Sequence, residues 1–339
     1  MIEARINDPS KIDRGAVKAI LDAGRTPTIQ FSKLGYSPEL LRKVNDVCGE
    51  FGESLEVRFY GHPGGPFDAG VLTHIPSASW LSVNCLTEIV NEHQIAKLSS
   101  LKRLSFGVYK FDDPAFLEQL DVGKLDRLAL VENAKRNLDL SPLRNAKLLE
   151  TLLLSGFTKN IESLAGLPKL ADLTLSGIAK VQNLRFVGKI PNLCSLALIL
   201  GGRQSIDEIV HPRLEELSVV RVRGLDGLGD LGRFPNLQNL TVQDQLQLRS
   251  LDVSGPSLRK LSLMNCKNLE EIQGLERLSD LIEFGTARTK LDLEYLLERE
   301  WPPSLKVLAL YSGSQKWNDA TRATLNERGF REYPSRSHC

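Results

Sequence analysis

Aromatic residues make up only 6% of this 339-residue chain, and there are just two methionines. Neither charge is in excess, since 43 Lys and Arg are matched by 42 Asp and Glu for a formal net charge of +1. A polyanion or an acidic membrane surface calls for a positive field, and nucleic-acid binding for basic patches with interleaved aromatics. The balance therefore argues for no nucleic acid and no membrane among the partners. No apolar run approaches the ~18 residues of a membrane span, and the longest, Leu193–Leu200, already contains Ser195. The opening MIEARINDPSKIDRG carries acids and no apolar core, so it does not read as a secretory signal. The five cysteines, Cys48, Cys85, Cys194, Cys266 and Cys339, are odd in number, scattered, and never spaced C-x-x-C. They read as reduced thiols, which together with the missing signal points to a cytoplasmic protein.

Catalytic signatures are missing too. There is no G-x-S-x-G and no P-loop. The segment Gly61–Pro66, GHPGGP, is a break in regular structure, but Phe67, Asp68 and Ala69 follow where a phosphate cradle needs Lys-Ser/Thr and a helix start. His62, His74 and His93 lie in this region without the i, i+4 spacing of metal ligands, and are expected at the surface. Cys339 reads as the last residue rather than a reactive tail thiol. No catalytic residue, metal or cofactor is implied. An enzyme or small-ligand binder using the His62/His74 loop is carried only as an alternative.

What is present is a rhythm. In Ile161–Gly177, IESLAGLPKLADLTLSG, apolar residues fall every third position at Ile161, Leu164, Leu167 and Leu170, then alternate at Leu173 and Leu175. Period three suits a 3₁₀-like turn, and period two a strand with one face buried. So short a unit can bury its apolar side only against copies of itself, which makes it one coil of a solenoid. The pattern L-x-x-L-x-L recurs as Leu101/Leu104/Phe106, Leu125/Leu128/Leu130, Leu149/Leu152/Leu154 and Leu170/Leu173/Leu175. It continues as Leu193/Leu196/Leu198, Leu214/Leu217/Val219, Leu237/Leu240/Val242, Leu258/Leu261/Leu263 and Leu305/Leu308/Leu310, with Leu278/Leu281/Glu283 as a degraded copy. The period is 20–24 residues through the middle.

Residues 1–27 read as a helical cap, with Asp13 as N-cap, Val17, Ile20 and Leu21 on one face, and Gly24 as the stop. Residues 28–312 form the solenoid, with longer helix-containing coils over 28–100 and short coils over 101–312. In the first of these, strand Thr28–Ser32 precedes a helix opened by Ser37 and Pro38 and ended near Gly49, and Leu55, Val57 and Phe59 line the next strand. Glu56, Arg58 and Tyr60 point the other way. Residues 313–339 are a carboxy-terminal cap and tail, with a helix over 318–328 carrying Ala320, Thr321 and Leu325 on one face. A cap at each end is what a complete solenoid protein needs.

These coils resemble the leucine-rich repeat family, L-x-x-L-x-L-x-x-N/C-x-L, over roughly Ile29 to Leu310; "GLPKL" and "RFPNL" are similar to the short-repeat bacterial and phosphatase-regulator types. The resemblance implies an α/β fold: a right-handed leucine-rich repeat solenoid, a curved horseshoe of about 12 coils with a parallel concave sheet and helical caps. It also implies protein binding. The Asn/Cys position is filled only by Asn133 and Cys266, whereas Phe157, Ile178, Gly201 and Val222 stand elsewhere, so those turns must satisfy their backbone otherwise. Some effector relatives append a catalytic Cys domain acting as a ubiquitin ligase; about 29 residues follow Leu310, too few for one.

Stacked parallel strands set equivalent side chains in columns. The columns left free by the leucines are short and nearly chargeless, as at Thr174 and Ser176, and partly apolar, at Val131, Leu153, Ile199, Val220, Met264 and Tyr311, with Gln243 among them. Exposed apolar surface marks an interaction site, filled by a protein partner or by self-association. The flanking column carries Arg103, Arg127, Asp172, Glu216, Lys260 and Asp280, with Arg221 beside Val220, a mixed-charge border of the kind that rims protein interfaces. The expectation is a non-catalytic interaction module centred on the coils from Leu130 to Leu263. Its role is that of an inhibitor or immunity-type protein sequestering a toxin or enzyme, or else a targeting or regulatory scaffold of a signalling enzyme.

Overall fold

The change of rhythm in Ile161–Gly177 has a direct structural counterpart. In the computed structural model, which describes residues 4–331, Ile161–Leu164 is a 3₁₀ turn and Asp172–Ser176 a strand. Leu173 and Leu175 are buried while Thr174 and Ser176 are half-exposed. The period-three residues Ile161, Leu164, Leu167 and Leu170 are buried as well. Both rhythms thus aim their apolar residues at one interior.

The chain divides into two compact units, Met1–Leu170 and Ala171–Cys339. In the first, seven parallel strands follow chain order: Arg5–Asn7, Thr28–Phe31, Glu56–Gly61, Trp80–Leu86, Arg103–Val108, Arg127–Leu130 and Thr151–Ser155. In the second, seven more do so: Asp172–Ser176, Ser195–Ile199, Glu216–Val220, Asn239–Gln243, Lys260–Met264, Glu283–Ala287 and Val307–Tyr311. Pairing in the second unit is without register shift, so Leu173, Leu196, Leu217, Leu240, Leu261, Phe284 and Leu308 form one buried column. A one-residue slip would turn every one of them to solvent, which is why the repeat holds its register.

Four details differ from expectation. The sheet begins one strand before residue 28, because Arg5–Asn7 pairs with Thr28–Gln30; a three-residue strand with the single apolar Ile6 has too little alternation to be seen in sequence. The helix from Pro38 runs through Gly49 to Phe51 and stops at Gly52, which has φ +52°. Burial of Val44, Val47 and Cys48 outweighs the ~1 kcal/mol that an interior glycine costs. The supposed degraded coil is a regular one three residues on: Leu281, Phe284 and Thr286 align with Leu258, Leu261 and Leu263, and all three are buried. The last helix spans Gln315–Glu327 because Ser314 caps it, and Thr321 and Leu325 are buried while Ala320 is exposed. Cys339 lies outside the described residues; Cys48, Cys85, Cys194 and Cys266 are free thiols.

The turns without Asn use backbone geometry instead. Two residues beyond the last inward position the chain turns left-handed, at Gly156 and Gly177 but also at Leu200, Arg221, Asp244, Asn265 and Arg288, with φ between 52° and 79°. In that conformation the N–H of Leu200 reaches Val220 O at 2.8 Å and that of Asp244 reaches Met264 O at 2.9 Å, carrying the ladder one residue past each strand. Asn133 plays its expected part, donating to Phe111 O at 2.9 Å and accepting from Arg136 N at 2.6 Å. Gln245 does similar work by donating to Gln243 O at 3.2 Å. Asx turns open the far side of many coils, as where Asp139, Asp230 and Asp252 each accept from the N–H two residues on.

Two substitutions separate these contributions. Leu173→Ala should lower unfolding free energy by about 3 kcal/mol through loss of buried volume. Leu200→Gly should raise it by about 0.5–1 kcal/mol, since left-handed strain is removed against some gain in unfolded-chain entropy. Urea denaturation followed by circular dichroism reads both. A destabilised Leu200→Gly would show that the leucine side chain, 45% exposed, contributes more than its backbone costs.

Candidate protein-interaction face

Because side chains alternate across a strand, every inward leucine leaves its neighbours on the solvent face of the sheet. In the first unit one column on that face runs Glu56, Trp80, Arg103, Arg127, Thr151 in register. The Trp80 ring carries two guanidinium groups, Arg103 at 5.1 Å and Arg127 at 5.5 Å from its centroid. Arg103 is fully held: Nε donates to Asp126 at 3.0 Å, Nη1 to the Glu53 carbonyl at 3.0 Å, and Nη2 to the Glu53 carboxylate at 3.5 Å. The Glu53 carboxyl is in turn held below its ordinary value, chiefly by its hydrogen bond from Lys102. Arg127 is exposed, and among the described residues no carboxylate pairs with it.

The adjoining strand contributes a second stacked pair, Arg58 over Tyr60 at 4.6 Å. Arg58 donates to Asn84 at 3.0 Å and Gln30 at 3.4 Å, and Asn84 donates to Ser105 at 3.2 Å. Glu56 accepts from Ser82 and from Thr28, the latter at 2.9 Å. The outer face of this unit is therefore cross-braced from strand to strand by hydrogen bonds in which Arg58 and Glu56 meet neutral partners. Val131, 40% exposed, sits against the open position of Gly107, and Leu153 is half-buried.

In the second unit the expected residues fall into three rows. Asp172, Glu216 and Lys260 lie in the first, where Lys260 pairs with Glu283 at 3.0 Å and Glu216 accepts from Asn239 at 2.9 Å. Asp280, placed in this row by sequence, is displaced from it by Glu283 once the coil is correctly registered. Thr174 starts the second row, with Ala197, Ser218 and Thr241 following. The third row is Ser176, Ile199, Val220, Gln243, Met264, Ala287, Tyr311, all half-exposed. Arg221, one residue beyond it, is tied to Asp244 at 3.1 Å. The third row is mainly apolar and is separated from the charged first row by the small residues of the second; in that first row Lys260 and Glu283 neutralise each other.

The sequence reading passed over Trp80, Arg58 and Tyr60. Their signal was available: a Trp directly before an inward Leu81, and the outward alternation Glu56, Arg58, Tyr60. What the sequence lacked was the stacking on Trp80, which joins residues 23 and 47 positions apart.

The histidines do not converge, and no group of three or more His, Cys, Asp or Glu among the described residues could hold a metal ion. His93 is exposed and His74 half-buried, but His62 is buried, contrary to expectation. It packs on Phe67 and Tyr36 at 5.4 and 5.9 Å. Its Nδ1 faces the Tyr60 carbonyl at 3.0 Å and therefore carries the proton, leaving Nε2 to accept from Tyr36 Oη at 3.3 Å. Burial pushes the imidazole below its ordinary value of 6.5 and lifts the Tyr36 phenol to about 12. Both nitrogens serve the core.

The coils define the class of this protein: each unit is a leucine-rich repeat solenoid, with inward leucines, parallel strands and returns that are 3₁₀, irregular or, as at Pro38–Phe51, α-helical. No protein-family model and no curated protein matches the sequence. Solved structures similar to it include a leucine-rich repeat protein of Leptospira interrogans, at 16% identity over 96% of this chain and 93% of that one, TM-score 0.44. Internalin C2 of Listeria monocytogenes is 19% identical over 71% of this chain and 83% of that one, TM-score 0.35. A chain in the Toll–Spatzle complex of Drosophila is 15% identical over 91% of this chain, which spans half of that one, TM-score 0.47. Among the described residues no helix is long and apolar enough to cross a membrane.

A neutral buried His62 binds fewer protons folded than unfolded. Its contribution to stability is present above pH 6.5 and is lost as pH falls below that value towards the lowered folded pKa. Thermal midpoints should fall between pH 7 and 5, and His62→Gln should flatten that fall, checked by melting curves across the range. An equal slope in the variant would assign the pH dependence to other groups.

Proposed function

We propose that this chain is a non-catalytic protein-interaction module that takes a protein partner on the solvent face of its strands. The observation that carries the reading is the half-buried Trp80 under Arg103 and the exposed Arg127, because Trp, Tyr and Arg are the residue types that dominate binding energy at interfaces. The row Ile199, Val220, Met264 and Tyr311 in the second unit offers further apolar contact. Side chains already ordered in the free chain lose little freedom on binding, and such pre-ordering favours slow release. Slow release suits sequestration, so the role put forward is an inhibitor or immunity-type protein holding a toxin or enzyme. The four free thiols support a reducing, cytoplasmic setting for it.

Affinity capture from the native lysate, with mass spectrometry of what stays bound, tests this. The full chain should retain one protein stoichiometrically. Trp80→Ala should weaken its capture about 30-fold or more, as expected for an anchor worth about 2 kcal/mol, with an unchanged circular dichroism spectrum. The paired change Ile199→Glu and Val220→Glu measures the share of the second unit. Capture indifferent to all three substitutions would move the site off this face, and recovery of no stoichiometric protein would favour a small-ligand or enzymatic role.

A further inference from the structure

The solvent face of the first unit holds two cations of the same construction. Arg58 lies on Tyr60 and Arg127 on Trp80. Arg58 is braced only by the neutral Gln30 and Asn84, and Arg127 has no carboxylate partner among the described residues, whereas Arg103 between them is neutralised by Asp126 and Glu53. Three strand steps and a two-residue offset along the strand separate Arg58 from Arg127, about 16 Å at the backbone. A guanidinium held against an aromatic ring is pre-ordered for pairing with a carboxylate; Arg58 would use Nη2, since its Nε and Nη1 already donate to Asn84 and Gln30, and Arg127 its whole fork.

We propose that this face recognises an acidic segment of its partner, with Arg58 and Arg127 each receiving one carboxylate of an extended stretch bearing two acids four or five residues apart. The proposal rests on the protein-binding reading above and supplies the chemistry of the partner. An extended chain covers the separation in about four to five residues. Nucleic acid fits less well, because the strands between the two cations present the uncharged Ser82, Asn84 and Ser105 and the already neutralised Arg103, so a continuous line of phosphates finds no free cation along its length. A partner with discrete carboxylates needs charge only at the two ends.

The test is fluorescence anisotropy of fluorescein-labelled decaglutamate against the full chain at low salt, with a labelled deoxythymidine decamer as the competing class. Decaglutamate should bind, and binding should weaken as salt rises. Arg58→Gln and Arg127→Gln should each weaken it about five-fold, and the double variant should abolish it. Arg127→Lys keeps the charge but not the planar fork, and should bind more weakly than the parent. No binding of decaglutamate, binding unaltered in the double variant, or tighter binding of the deoxythymidine decamer that is lost in the same variants would each overturn the proposal. If decaglutamate fails while Trp80-dependent capture of a protein persists, the acidic specificity is wrong and the protein-binding reading stands. If Trp80 dependence is lost as well, that reading falls with it.

Discussion

No coil of this chain can bury its own leucines. Leu173 is covered because Leu196 sits in register beside it, and Leu196 because Leu217 follows, so burial at each step is a property of the stack. That mutual dependence sets everything else. It demands parallel strands of matched register, joined by returns that bring the chain back to the same edge of the sheet. It also makes the ends of every strand recurrent sites where backbone groups must find partners. Left-handed residues such as Leu200 and Arg221 show how strong the demand is: the chain accepts unfavourable φ values there so that the ladder continues one residue further.

The same constraint hands the opposite side of each strand to function. With inward positions committed to packing, the residues between them are free to vary, and the two units have used that freedom differently. The first presents guanidinium groups on aromatic rings, cross-braced by Gln30, Asn84 and Ser105. The second presents a mainly apolar row and a charged one, in which Lys260 and Glu283 neutralise each other. Buried His62 belongs to neither face. Its proton is assigned by the Tyr60 carbonyl, and its surroundings are a cluster of rings that fills the long coils where leucines are fewer.

Much of this was legible in the sequence. The rhythm of Leu170, Leu173 and Leu175 announced strand and interior together, because a period of two on one face is hard to satisfy any other way. Caps at Asp13 and Ser37 were equally plain, since a side-chain acceptor before an apolar run has one common use. Legibility ended where the pattern was carried by unlike residues. Phe284 and Thr286 occupy leucine positions, and taking Leu278 for the start of their coil put Asp280 in a column that belongs to Glu283. The candidate site suffered in the same way. Small and apolar columns drew attention to the middle of the chain, while Trp80 stood unremarked in a coil whose repeat was less regular.

By itself the sequence determined the repeat, the inward set and the outward set, because alternation is a local property that each strand states in five residues. Only the tertiary structure decided which outward residues act together. Arg103 and Arg127 are 24 positions apart, and they share one indole because parallel stacking places successive coils within side-chain reach. It likewise decided that Arg103 is neutralised and Arg127 is not, since Glu53 approaches from a coil half a hundred residues upstream. Which charges are spent within the fold and which remain for a partner depends on distances across the stack, and no reading along the chain contains them.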